Sequence, residues 1–379
     1  MKKVLVVLIP LFFLLFLGCG KDFGDDGFSE SENTGDGQNL QPGVITAGEW
    51  NDLDSWDFWN NILNEQEYST MPSYWSFFNN NRVSVILTSS ETTPVVDAIV
   101  ELKRDDFTIF TARTDNFGRA ELWADLYQHS SELDPSALSI SVNEGAYTIN
   151  NVKLYQDGVN EIVLAATSSG NRVEISFVVD ATGSMGDELE FLKTELLDVL
   201  DRVKDENPNT DIYTSSVFYR DEGDQYVTRV SPFTSNIETT IDFIKDQKAD
   251  GGGDYPEAVH TALDKAIGEL QWSYSARTRL LFLVLDAPPH YKTSVVQSLQ
   301  ESVATAAAKG IKIIPVTASG IDKKTEFLMR FFAISTNGTY VFITDHSGVG
   351  NSHLEPTVGE YQVEYLNNLM VRLISKYVE

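Results

Sequence analysis

The chain has 379 residues, a formal net charge of −28 and a single cysteine, and 42% of its residues are hydrophobic. A chain of this length normally forms more than one domain, and this composition is that of a globular protein with packed cores. The negative charge, without any basic cluster, argues against nucleic acid or an anionic membrane surface as a partner, and a lone cysteine excludes an intrachain disulfide.

Residues 1–19 have the pattern of a secretory targeting segment. Lys2 and Lys3 precede an apolar run over residues 4–17, which is too short for a comfortable membrane span. The run ends at Gly18-Cys19, which resembles the lipobox of bacterial lipoproteins. That resemblance implies cleavage before Cys19, lipidation of its thiol and an outer-membrane location in the cell envelope; an ordinary secretory peptide with an incidental cysteine is the alternative.

Residues 20–44 are rich in Gly, Asp, Ser and Asn, and this composition predicts a disordered acidic tether. An acidic stretch directly after the expected lipidation site also resembles the surface-export signals of some Gram-negative lipoproteins. That likeness implies exposure at the cell surface.

Residues 45–78 carry four tryptophans, namely Trp50, Trp56, Trp59 and Trp75. An exposed cluster of this kind would bind sugar rings. Large aromatic side chains are mostly buried, however, so we expect the rings to dock the segment onto a domain core.

Residues 82–166 contain about seven short strand patterns separated by turns, which predicts a small all-β sandwich. Part of this region, from Pro94 to Leu122, resembles the carboxypeptidase-regulatory or transthyretin-like sandwiches of bacterial surface proteins. Residues 167–171 form a predicted linker with the domain boundary near residue 168. The first domain is therefore predicted at 45–168, with the tryptophan-rich segment included, and the second at 169–379.

The second domain alternates apolar strands with amphipathic helices. Strands are predicted at residues 173–179, 212–219, 226–230, 280–285, 312–317 and 339–343. Helices are predicted at residues 187–204, 236–247, 256–270, 293–308, 323–332 and 360–376. This alternation predicts an α/β fold with a doubly wound, mostly parallel sheet, in which the short strand at 226–230 is an antiparallel edge.

The first strand of this domain is followed by Asp180, Thr182 and Ser184. They put one carboxylate and two hydroxyls on a tight loop at the carboxyl end of a strand, where open α/β sheets bind ligands. Hard oxygen ligands suit Mg²⁺, Mn²⁺ or Ca²⁺ rather than zinc. The alternative is a structural strand–turn–helix, in which Asp180 closes the turn and Thr182 or Ser184 caps the helix.

This DATGS sequence resembles the metal-ion-dependent adhesion site of von Willebrand factor A (vWA) domains, and two further loops extend the likeness. The sequence GGGDYPE at residues 251–257 precedes a predicted helix, and DAPPH at residues 286–290 follows a predicted strand. In vWA domains these loops supply a Thr and an Asp, so the resemblance implies Asp286 as one ligand and Asp254 in place of the Thr. A carboxylate at that point makes the site more anionic, which argues against an acidic partner residue.

Two more segments, residues 218–221 and 347–356, resemble a vWA subgroup with hemicentin-like and bacterial surface members. The resemblance covers residues 172–379 and implies a Rossmann-like vWA sheet. It also implies a divalent cation, Mg²⁺ ahead of Mn²⁺ or Ca²⁺. The metal ligands it implies are Asp180, Thr182, Ser184, Asp254 and Asp286.

The function implied is that of a lipid-anchored, non-enzymatic envelope protein that binds a protein or glycan partner through this metal. A scaffold or assembly subunit of an envelope complex, with a structural metal, is the alternative. A hydrolase is a more distant alternative, because Thr182 stands where a G-x-S-x-G elbow needs its first Gly, and no triad order is evident around His290 or His353.

Overall fold

A computed structural model describes residues 40–90, 92–129, 133–164 and 170–379. The predicted targeting segment with Cys19, most of the predicted tether and the predicted domain boundary at residue 168 lie outside the described residues. Among the helices of the described ranges, none is both long enough and apolar enough to cross a membrane.

The described chain begins with a strand and two short helices: β1 (Thr46–Trp50), α1 (Trp56–Ile62) and α2 (Met71–Trp75). A β-rich region follows, with β2 (Asn80–Ser89), β3 (Ile99–Arg104), β4 (Phe107–Arg113), β5 (Arg119–Asp125), β6 (Leu138–Val142), β7 (Tyr147–Ile149) and β8 (Asn160–Leu164). Its strands form two small sheets, in the orders β5-β2-β8 and β4-β3-β6-β7. This is the separate, smaller β region that the strand pattern predicts.

The rest of the chain alternates strands and helices: β9 (Arg172–Asp180), α3 (Gly186–Glu206), β10 (Asp211–Tyr219), β11 (Thr228–Thr234), α4 (Ile237–Lys245), α5 (Val259–Leu263), β12 (Thr278–Leu285), α6 (Thr293–Lys309), β13 (Ile311–Thr317), α7 (Lys323–Ser335), β14 (Tyr340–Ile343), β15 (Glu364–Tyr365) and α8 (Leu366–Val378). Single 3₁₀ turns stand at Gly183–Met185, after β9, and at Asp345–Ser347, after β14.

A large sheet joins eight of the described strands in the order β11-β10-β9-β12-β13-β14-β1-β15. The five strands from β10 to β14 in this order are parallel, and β11 is an antiparallel edge. The predicted doubly wound, mostly parallel α/β fold is therefore confirmed.

The unbroken apolar sequence of β9 reflects burial on both faces of this sheet. Ile175, Phe177 and Val179 belong to one core with residues of α3 and α8. Val178, which points to the opposite face, belongs to a second core with residues of α5, α6 and α7. β9 is thus a central strand, and its carboxyl end is positioned by packing from both sides.

The second core continues into the β-rich region and the tryptophan-rich segment. Trp59 is fully buried and stacks on Phe327 of α7, with ring centroids 5.5 Å apart. Trp75 is also buried and donates its indole N–H to the Lys324 carbonyl at 3.0 Å. These two rings therefore dock the segment onto the α/β domain, as the burial of large aromatics predicts, and are not free to bind sugar.

Strand β1 lies in the large sheet, although the sequence pattern predicts no strand there. It pairs antiparallel with β14 and with β15. The residues just before it are held by Glu195 of α3, whose carboxylate accepts from the N–H groups of Gly43, Val44 and Ile45 at 2.8–3.1 Å. The large sheet therefore includes a segment that precedes the β-rich region.

Two helix starts also differ from prediction. Helix α8 begins at Leu366, not at residue 360, because Glu364 and Tyr365 pair with β1. The helix predicted from residue 256 begins at Val259, because Glu257 instead makes a parallel bridge with Pro289.

Candidate metal centre

The loops after β9 and β12 meet at one edge of the large sheet. β9 ends at Asp180, and β12 ends one residue before Asp286. The two strands are parallel neighbours whose register pairs Val179 with Val284. Both aspartates therefore lie side by side at the carboxyl edge, where ligand sites of such sheets are found.

The loop after β9 presents one carboxylate and two hydroxyls. The N–H and the hydroxyl of Thr182 both donate to Asp180 Oδ1, at 2.9 and 2.7 Å, and the hydroxyl oxygens of Thr182 and Ser184 are 3.1 Å apart. Asp180 and Thr182 are fully buried, whereas Ser184 is exposed. The site is therefore closed on the protein side and open toward solvent at Ser184.

The alternative of a purely structural strand–turn–helix explains only part of this loop. The bond from the Thr182 N–H shows that Asp180 closes the turn. However, Thr182 stands at the N-terminal end of the 3₁₀ turn without a side-chain capping bond, and the residue that begins α3 is preceded by Met185 rather than Ser184. Helix capping therefore does not explain the two hydroxyls.

The two aspartates are poorly satisfied by the protein. Asp180 Oδ2 and Asp286 Oδ1 are buried and make no well-aligned hydrogen bond to the described residues, although the Tyr219 hydroxyl lies close to Asp180 and the Ser184 hydroxyl close to Asp286. Burial, followed by the charge of Asp286, raises the pKa of Asp180, and burial likewise raises the pKa of Asp286, with the charge of Glu188 adding to the effect. Unpaired buried carboxylates are costly, and a cation would remove that cost.

The donor set fits a hard divalent cation. Two carboxylates and two hydroxyls are oxygen ligands of the kind that Mg²⁺, Mn²⁺ and Ca²⁺ accept. Within the described ranges, no three Asp, Glu, His or Cys side chains converge closely enough to form a metal cage by themselves. Hydroxyl groups and water would therefore complete the coordination.

The GGGDYPE loop at residues 251–257 places its two acidic residues, Asp254 and Glu257, in different surroundings. Asp254, the ligand predicted from the sequence, is exposed, and no described contact joins its side chain to Asp180 or Asp286. Glu257 is only 2% exposed. Burial, followed by the charges of Asp180 and Asp221, raises the pKa of Glu257 to about 9.

Glu257 is thus the buried acid at this edge that the sequence pattern does not predict. Its signal was an acidic residue directly after Pro256. Because Pro is common at the first position of a helix, the sequence predicts a helix from Pro256 that includes Glu257. The structure places Glu257 before the helix, on the loop.

A further layer of hydrogen bonds holds the loops around the aspartates. The Asp224 carboxylate accepts from the Gly252 N–H at 2.9 Å. Arg220 Nε donates to the carbonyl of Ala181, the residue after Asp180, at 3.1 Å. His290 Nε2 lies 2.6 Å from Asp221 Oδ1, so this histidine pairs with the loop after β10.

The C-terminal segment that resembles the vWA subgroup also returns to this edge. His353 Nε2 lies 3.2 Å from Glu188 Oε1 on α3, and His353 Nδ1 lies 2.8 Å from Asp345 Oδ1. Gly350 has φ +78°, a backbone conformation that favours glycine, and a Cβ there would press on the Glu188 side chain. The segment is therefore latched beside the candidate centre.

Comparison with known protein families finds a match over the α/β part of the chain. Residues 174–349 match the von Willebrand factor A domain family, so this part of the chain is similar to a vWA domain. The matched range contains the loops after β9 and β12 and the GGGDYPE loop.

Two curated proteins are similar over part of the chain. A protein named as an ariadne-like RING finger protein, from Acanthamoeba polyphaga mimivirus, is 32% identical over 133 residues, which cover 35% of this chain and 13% of that protein. The alpha-protein kinase vwkA of Dictyostelium discoideum is 28% identical over 155 residues, which cover 40% of this chain and 24% of that protein. The chain therefore spans well under two thirds of either relative.

Among solved structures, the BatB protein of Bacteroides thetaiotaomicron is 14% identical with a TM-score of 0.37, and the match covers 54% of this chain and 98% of that one. An aerotolerance-related membrane protein of Bacteroides fragilis has the same identity and coverages, with a TM-score of 0.34.

Proposed function

We propose that this chain is a lipid-anchored, non-enzymatic envelope protein whose vWA domain binds a protein or glycan partner through a divalent cation. The observation that carries the proposal is the pair Asp180 and Asp286. Each has a buried oxygen that makes no well-aligned hydrogen bond to the described residues, and both lie beside the hydroxyl groups of one short loop.

The residues proposed to hold the cation are Asp180, Thr182, Ser184 and Asp286. Asp254 stays a prediction, because its exposed side chain would have to turn inward. When bound, a divalent cation would neutralise the aspartates and offer an exchangeable position to an oxygen of the partner. The exposure of Ser184 supports an open site rather than a purely structural one.

The hydrolase alternative lacks support from the same geometry. A serine nucleophile needs a base within hydrogen-bonding reach. Ser184 has the Thr182 hydroxyl as its neighbour, while His290 pairs with Asp221 and His353 with Glu188.

Thermal melting of the full chain with and without Mg²⁺, Mn²⁺ or Ca²⁺ tests the metal proposal. A ligand that binds only the folded state stabilises it by RT ln(1 + [L]/Kd), which is roughly 2.7 kcal/mol at 100 Kd. We expect at least one of these cations to raise the melting temperature. Asp180→Ala should abolish the shift, since it removes a buried carboxylate of the site.

Capture of a partner from envelope extract gives the second readout. Binding should fall with EDTA and with Asp180→Ala alike. If none of the three cations moves the melting temperature of the wild-type chain, the loop is only a strand–turn–helix and the proposal is wrong.

A further inference from the structure

Glu257 has a carboxylate that the protein does not satisfy. The residue is 2% exposed, and its Oε2 atom is buried without a hydrogen-bond partner among the described residues. Glu257 lies outside the helices and forms no salt bridge with another described residue. A buried acid without a hydrogen-bond partner needs a physical explanation, and a bound ion or water molecule supplies one.

The backbone fixes Glu257 beside the loop that contains Asp286. The Glu257 N–H donates to the Pro288 carbonyl at 2.9 Å, and Glu257 makes a parallel bridge with Pro289. The loop after β12 therefore sets the position of Glu257, through contacts two and three residues beyond Asp286.

The side chain points toward the first loop. A Cβ placed on Gly252 would lie 2.9 Å from Glu257 Oε1 and 3.3 Å from Thr182 Cβ. The Glu257 carboxylate and Thr182, whose hydroxyl bonds Asp180 at 2.7 Å, therefore both border the position that a Gly252 side chain would occupy. Gly252 has φ +71°, so a larger residue there would be strained as well as crowded.

We propose that Glu257 is the third carboxylate of the centre and holds the cation through a metal-bound water. This inference rests on the metal-binding function proposed above and names the acid that the GGGDYPE loop contributes. Three carboxylates around a divalent cation leave an excess negative charge, which favours a neutral oxygen, such as a hydroxyl or carbonyl, as the partner's ligand.

The test is a titration of the full chain with Mn²⁺ alone, followed by melting temperature and by calorimetry. Loss of a group that orients metal ligands typically costs roughly 10–100-fold in affinity. We therefore expect Glu257→Gln to weaken Mn²⁺ binding at least about 10-fold. Glu257→Asp, which keeps the charge, should retain part of the affinity.

Glu222→Gln is the matched control, because it makes the same chemical change on an exposed side chain of the neighbouring loop after β10. It should bind Mn²⁺ like the wild type. Melting in EDTA establishes that each variant folds. A Glu257→Gln variant that binds Mn²⁺ with wild-type affinity would overturn the inference while leaving the metal proposal intact. A wild-type chain that shows neither Mn²⁺ binding nor a change in melting temperature would overturn both.

Discussion

At the residue scale, His353 joins two elements through a pair of carboxylates. Its ring lies between Glu188 of α3 and Asp345 of the C-terminal segment, at 3.2 and 2.8 Å. Burial disfavours the charged ring, but hydrogen bonds to Glu188 and Asp345 outweigh it and raise the pKa of His353 above its ordinary value. Only the protonated ring can donate to both carboxylates.

This arrangement predicts a pH dependence with a definite sign. A histidine with a raised pKa stabilises the folded chain fully below its unfolded pKa of about 6.5, and this contribution is lost as the pH rises through the higher folded value. We expect hydrogen exchange in residues 345–356 to accelerate, relative to the intrinsic rate, as the pH rises from 6 into the alkaline range. His353→Gln should lose most of this additional pH dependence, and equal pH profiles for both proteins would contradict the prediction.

The sequence predicts the positions of Asp180 and Asp286 in the fold but not that of Glu257, for a physical reason. Asp180 and Asp286 each follow a strongly apolar strand, so local pattern alone places them at the ends of strands. Glu257 carries no such local signal, because its inward direction depends on a bridge to Pro289, more than thirty residues away in the chain.

At the element scale, β1 completes the large sheet. It covers the edge of β14, pairing Ala47 through Trp50 with Ile343 through Tyr340. Ile45 and Ala47 are fully buried in the core that contains α3 and α8. Removal of residues 40–51 would expose an unpaired strand edge at β14 and take away the N–H groups of residues 43–45, from which the buried Glu195 carboxylate now accepts.

Truncation tests this role. A chain that starts at residue 52 should be less stable than one that starts at residue 40, by roughly 3 kcal/mol from the lost apolar burial and hydrogen bonds. Melting temperature measures the difference, and the chain that starts at residue 40 is the matched control because it keeps β1. Equal melting temperatures would show that β1 is dispensable.

Element prediction succeeded where the pattern is local and failed where pairing is distant. The alternation of apolar strands and amphipathic helices predicts the parallel sheet and its antiparallel edge β11. The five residues of β1 include a glycine and have no clear alternation, and their partners in β14 lie almost 300 residues later. Pairing over such a distance leaves little trace in a short sequence window.

At the scale of the whole molecule, one core links the β-rich region to the α/β domain. That core contains residues of the tryptophan-rich segment, the small sheets and helices α6 and α7. Arg330 of α7 is fully buried and pairs with Asp52 at 2.6 Å, so the contact is ionic as well as apolar. Residues 40–379 accordingly form one compact unit.

The proposed location of this unit depends on Cys19, which lies outside the described residues. The lipobox-like Gly18-Cys19 at the end of an apolar run predicts that the thiol carries lipid. Metabolic labelling with a fatty-acid analogue should therefore mark the wild-type chain, and Cys19→Ala should lose the label.

The lipobox resemblance implies two acyl chains, which are enough for stable anchoring, and the chain is strongly acidic, so membrane attachment should depend on the lipid alone. Cys19→Ala should then move from the membrane to the soluble fraction while keeping the cation-dependent rise in melting temperature. A Cys19→Ala chain that still takes up the label, or that stays with the membrane, would contradict the lipid anchor without touching the metal centre.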